Sequence, residues 1–118
     1  MRRTAVALVA LLVAMPAAAS DFQRVEDRDN FVSLVKDRAL TRLGIRLRVS
    51  QDGQITGRAF GKDVSGDWTW SQGFFCRDLF LEGSVLDVEN CQTVQVRGNT
   101  LRFTSDKGAG DSADLRLK

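Results

Sequence analysis

Residues 66–91 read GDWTWSQGFFCRDLFLEGSVLDVENC and hold both tryptophans and both cysteines of the chain. Trp68 and Trp70 alternate with polar neighbours, the pattern of a strand with one face toward a core. Gln72-Gly73 turns the chain, and 74–81 returns with apolar residues on both faces, as expected of a strand covered on two sides. From residue 90 a third strand begins. Cys76 and Cys91 lie fifteen positions apart, a spacing that fits neither a redox CxxC nor a metal pair. A disulfide between them would close a loop of about 15 residues, worth roughly 3 kcal/mol by chain entropy. A reactive thiol or an intermolecular bridge is the alternative.

At the N terminus, residues 1–19 combine Arg2 and Arg3, an apolar run over 5–15 and small residues at Ala17 and Ala19. This is the pattern of a secretory leader cut after Ala19, so the expectation is a periplasmic or secreted chain with one small domain over 20–118. The apolar run is shorter than the ~18 residues of a spanning helix, and no later segment approaches that length. Loss of Arg2 and Arg3 from the 17 basic residues leaves 15 against 15 acidic. A formally neutral chain disfavours a nucleic-acid partner and directs any electrostatic function to local patches. A domain of this size buries a modest core, and a disulfide formed in an oxidising compartment would reinforce it.

Between the leader and the aromatic segment, Asp27 or Asp29 can cap a helix whose apolar stripe is Phe31, Leu34 and Val35, ending near Leu40. Leu43, Ile45, Leu47 and Val49 then alternate with polar residues and Gly44, predicting one strand over 41–49. Asp52-Gly53 supplies a turn, 55–60 the next strand, and 61–66 a connection. After the aromatic strands, 82–89 reads as loop, 90–97 as strand, Gly98-Asn99 as a tight turn, and 100–105 and 112–118 as two more strands. Seven short strands after one helix predict a mainly β fold: a small, lipocalin-like antiparallel meander barrel, expected to be monomeric.

The chain has no histidine and no tyrosine. Nucleophile pairs that need histidine and most zinc sites are therefore ruled out. Asp78, beside Arg77 and four residues before Glu82, is the acid that acid/base chemistry would use; the structural alternative is an Arg77–Asp78 pair at a sheet rim. The lone GxG at Gly108 and Gly110 has no third glycine and precedes a strand, so it reads as a hairpin turn instead of a dinucleotide loop. No catalytic residue, cofactor or metal is expected. Arg42, Arg46 and Arg48, joined by Arg58 on the next strand, can form a basic stripe for phosphate, sulfate or acidic glycan. Trp68 and Trp70, with Phe74 and Phe75, are core residues that can also line a ligand pocket at a barrel mouth.

The elements GxxFGxxVxGxWxWxxGFFCRxL over 57–79, NCQxVxV over 90–96 and LRFTSDxGxGDSAxLxL over 101–117 cover most of the chain beyond the leader. In these it resembles a family of short secreted bacterial proteins of unassigned function, whose members often carry the name dihydrodipicolinate reductase. That name implies a nicotinamide-dependent reductase, but it brings no catalytic residue onto these positions. Ser65-Gly66, read as part of a loop, gives a fainter likeness to periplasmic lysozyme inhibitors, which are small disulfide-bonded barrels. The reading that results is a binding module for an envelope ligand or protein, with a small acid/base enzyme built on Asp78 as the alternative.

Overall fold

The computed structural model describes residues 21–118, so the expected leader at 1–19 lies outside the described residues. The elements are β1 (Gln23–Val25), α1 (Arg28–Val35), β2 (Leu40–Arg42), β3 (Ile45–Val49), β4 (Gln54–Ala59), β5 (Lys62–Ser71), β6 (Phe74–Leu81), β7 (Ser84–Arg97), β8 (Thr100–Thr104) and β9 (Ser112–Leu117). Strands β2 to β9 form a meander in which each pairs antiparallel with the next. Strand β9 then pairs with β2, Leu40 opposite Leu117 and Thr41 opposite Arg116, and closes an eight-stranded barrel. Closure removes the exposed sheet edges that would otherwise template aggregation.

The fold class is the expected one, with eight barrel strands where the sequence suggested about seven. Neighbours in a meander alternate in direction, so its first and last strands are antiparallel only when the strand count is even. The eighth strand comes from 41–49, which breaks into β2 and β3 at Leu43-Gly44. Gly44 has φ +77°, and a Cβ there would stand 2.4 Å from the Phe60 ring. Only glycine meets both conditions. Leu43, expected to point inward, is 92% exposed on this turn.

Three further segments differ from expectation. Residues 61–66 are mostly strand, since β5 begins at Lys62 and places Ser65 and Gly66 in a ladder, opposite Thr56 and Ile55, where a loop was expected. The segment 82–89 belongs largely to β7, which carries a bulge where the register shifts between Arg77 and Leu79. Strand β1 was not expected at all. It pairs with β7 through Val25 opposite Val94 and continues the barrel wall beyond the end of β6. Polar or exposed side chains dominate all three segments and hide the two-residue period.

Asp27 caps α1, its carboxylate accepting from the Asn30 N–H at 2.8 Å. The helix stops at Val35, earlier than the expected Leu40, because Asp37 takes φ +57° and turns the chain into β2. Phe31 and Val35, one turn apart, are fully buried and plug one end of the barrel. The Phe31 ring lies 5.4 Å from Trp68, 5.1 Å from Trp70 and 4.9 Å from Phe75, centroid to centroid. Such contacts add to the burial of large apolar rings and make this end the aromatic part of the core.

Cys76 and Cys91 form a disulfide across β6 and β7, with Cα atoms 3.9 Å apart. Phe75 and Arg77 point inward, so by strand alternation the bridge lies on the outer face. The helix end carries the β3–β4, β5–β6 and β7–β8 turns. The opposite end carries the β2–β3, β4–β5 and β6–β7 turns and the β8–β9 connection, where the GxG segment forms a 3-10 turn over Asp106–Gly108 between antiparallel strands.

Candidate functional site

Alternation along β3 sends Leu47 and Val49 toward the core and Arg46 and Arg48 to solvent. The ladders then set Arg116 opposite Thr41, Thr41 opposite Arg46, and Arg46 opposite Arg58, a polar row across β9, β2, β3 and β4. Beside this row is an open groove of about 570 Å³, lined by the cations Arg42, Arg46, Arg116 and Lys118 and by a single acid, Asp114. Its size is within the range of small-molecule sites.

The groove keeps an excess of positive charge, four cations to one acid. The ion pairs among the described residues are Arg58–Asp63, Arg77–Asp87 and Arg102–Asp114, and none involves the four lining cations. Asp114 is gripped by Arg102 through two bonds of 2.8 and 3.0 Å. That hydrogen bonding holds its carboxyl below the usual carboxylate range against a smaller opposing effect of desolvation, helped by the charges of Arg102, Arg97 and Arg42. Arg58 is likewise engaged, donating to Asp63 at 2.6 Å and to the Gly61 carbonyl. Arg42 and Arg46 are thus brought together with two cations from β9 and the chain end, while Arg58 is turned aside. Arg48 lies toward the helix end, in a separate hollow beside Asp37 and Arg38.

The barrel interior offers less space. Its cavity measures about 100 Å³ and is lined by apolar side chains together with Arg77 and Gln92. Pockets that enclose drug-sized ligands start near ~300 Å³, so this core is largely filled. Arg77 points inward and pairs with Asp87 at 3.1 Å. Burial pulls its guanidinium below the ordinary value, and the charge and hydrogen bond of Asp87 oppose that shift. Asn90 donates to Asp87 at 2.8 Å and to the Ser105 hydroxyl at 3.0 Å, and Gln92 donates to the same hydroxyl at 3.3 Å. These bonds satisfy the polar groups that β7 turns into the barrel.

The remaining candidates occupy structural positions. Trp68 is buried and donates from Nε1 to the Ser50 carbonyl at 2.8 Å, and Trp70 donates to the Glu26 carbonyl at 3.1 Å. Both pack against Phe31 of α1 at the closed end, Trp68 edge-on and Trp70 stacked. Asp78 accepts from the Glu89 N–H at 2.6 Å, which fastens the β7 bulge. Its expected neighbour Glu82 sits on the β6–β7 turn with φ +50°, and the side chain that pairs with Arg77 is Asp87. Among the described residues, no three His, Cys, Asp or Glu side chains converge as a metal site.

Sequence reasoning missed Arg116, Lys118 and Asp114 as site residues. Their alternation with Leu115 and Leu117 marks them as outward-facing, but only closure of β9 onto β2 sets them beside Arg42 and Arg46. No protein-family model matches the chain, no curated protein matches its sequence, and no solved structure matches its fold, so the functional reading rests on the geometry of this molecule.

Proposed function

We propose that the chain is exported, loses residues 1–19, and acts as a disulfide-tied binding module that takes an anionic ligand on the outer face of β2, β3 and β9. The observation that carries this reading is the groove at Arg42, Arg46, Arg116 and Lys118, where four cations converge without an ion-pair partner among the described residues. Three arginines with planar, forked donors suit the oxygens of phosphate, sulfate or carboxylate groups. The disulfide supports the exported part of the reading, because such bonds persist in oxidising compartments.

Binding to a sulfated polysaccharide tests the reading. At 50 mM salt, on the order of the low ionic strengths at which surface charge is weakly screened, the protein is expected to be retained on immobilised heparin. The R46E/R116E variant should elute much earlier while melting no lower than the wild type. Passage of the wild-type protein without retention, or equal retention of the variant, rules the reading out.

A further inference from the structure

The large exposed apolar residues among the described residues are Leu43, Phe60, Val85, Leu86 and Val88. Leu43 lies on the β2–β3 turn, Phe60 on the β4–β5 turn, and the other three in the first part of β7. The turns and the start of β7 belong to the end of the barrel that α1 does not cover. At the other end the corresponding apolar surface is sealed by Phe31 and Val35.

Leu43 and Phe60 form one projecting unit. The Phe60 N–H donates to the Gly44 carbonyl at 2.7 Å, and the Phe60 ring crosses Gly44, the residue after Leu43. Leu43 is 92% exposed and Phe60 72% exposed, so two large apolar side chains stand at the tip with little beneath them to bury against. Cations flank this tip on the side of the groove. Arg42 precedes Leu43 directly, Arg46 begins the adjoining outer row, Lys62 follows the Phe60 turn, and Arg116 and Lys118 border the same groove. Two of the acids nearest the tip are already engaged by arginines. Asp63 is paired with Arg58 and Asp114 with Arg102, whereas Glu82 on the β6–β7 turn takes part in none of the ion pairs among the described residues.

We propose that this uncapped end docks on an anionic phospholipid surface, Leu43 and Phe60 entering the headgroup boundary while Arg42, Arg46, Lys62 and Arg116 lie against the phosphates. Apolar side chains projecting from tight turns, flanked by long basic side chains without an ion-pair partner among the described residues, match the two signals of interfacial binding: apolar burial and attraction to anionic lipid. The proposal rests on the anion-binding reading of the same face and adds the apolar tip to it.

Cosedimentation of the exported protein, its processing checked by mass, with vesicles of phosphatidylcholine or of phosphatidylcholine containing 30% phosphatidylglycerol tests it; about 30% anionic lipid gives a negative surface for the basic residues to meet. Binding is expected to the anionic vesicles, at least about tenfold over neutral ones, and to weaken with salt. The L43S/F60S variant should lose about tenfold in vesicle binding yet keep full retention on heparin, which separates this proposal from the simpler one. R42E/R46E should lose both. Absence of sedimentation with a folded wild-type protein overturns the proposal, and so does vesicle binding that is indifferent to L43S/F60S. Equal sedimentation with neutral and anionic vesicles overturns it too, as does capture of a soluble protein through the tip without lipid binding.

Discussion

Arg46 and Arg58 face each other across the β3–β4 ladder, two like charges in register on the outer surface. Directly opposed like charges destabilise a sheet, and the structure relieves the repulsion on one side only, by turning Arg58 to Asp63 at 2.6 Å. Arg46 keeps an uncompensated charge over the groove. Replacement of Arg46 by threonine, which suits a strand, should therefore raise stability slightly, by about 0.5 kcal/mol, while weakening anion binding. Chemical denaturation paired with heparin retention checks both effects, and a loss of stability without a loss of binding would remove Arg46 from the site.

Phe31 is the single side chain on which the closed end depends, since it touches Trp68, Trp70, Phe75 and Phe103 at once. Phe31→Ala is expected to cost about 3–5 kcal/mol, as large-to-small changes at fully buried aromatic positions do. Equilibrium unfolding followed by tryptophan fluorescence measures it directly.

The Cys76–Cys91 bridge spans neighbouring strands of the ribbon that carries both tryptophans. Its removal in C76A/C91A should lower the unfolding free energy by roughly 3 kcal/mol through the unfolded chain and leave the native contacts in place. Near-UV circular dichroism at low temperature should match the wild type, while the denaturation midpoint falls.

Asp114 links stability to pH. Its carboxyl is held below the usual range in the folded protein, first by the hydrogen bonds from Arg102, so the unfolded chain takes up a proton before the native one does. The stabilisation is present above the ordinary carboxylate value of about 3.9 and is lost as pH falls through the lowered native value. The stability difference between wild type and Asp114→Asn should accordingly stay flat from neutral pH to about 5 and shrink in stronger acid. Since the change also removes the one acid lining the groove, the variant should bind heparin more tightly at neutral pH.

Inside the barrel, Asp87 compensates a guanidinium that burial disfavours. Asp87→Ala strands Arg77 and should cost about 1–2 kcal/mol, less than a fully buried pair because the Asp87 side chain is 45% exposed. Arg77→Met combined with Asp87→Leu should recover much of that loss in a double-mutant cycle, because no charge is then left unpaired.

The core was legible because its periodicity is simple. Leu101 and Phe103 in β8, and Leu115 and Leu117 in β9, alternate cleanly and are buried as expected. Trp68 with Phe75 and the Cys76–Cys91 spacing marked the central ribbon. Of what escaped the sequence, two features trace to closure. Leu43 fits the alternation of 41–49 perfectly in type, and only the close approach of Phe60 to Gly44 reveals that the chain turns there. The groove draws Arg42 and Arg46 from the first two barrel strands and Arg116 and Lys118 from the last strand and the residue after it, a meeting that no local pattern announces.

A titration followed by backbone amide chemical shifts, with a short sulfated oligosaccharide as the ligand, tests most directly whether this face is the binding surface. Saturable shifts concentrated at residues 41–46 and 114–118, absent in R42E/R46E, are the predicted result. Shifts centred instead on the aromatic end around Trp68 and Trp70, or no saturable shifts at low salt, would contradict it.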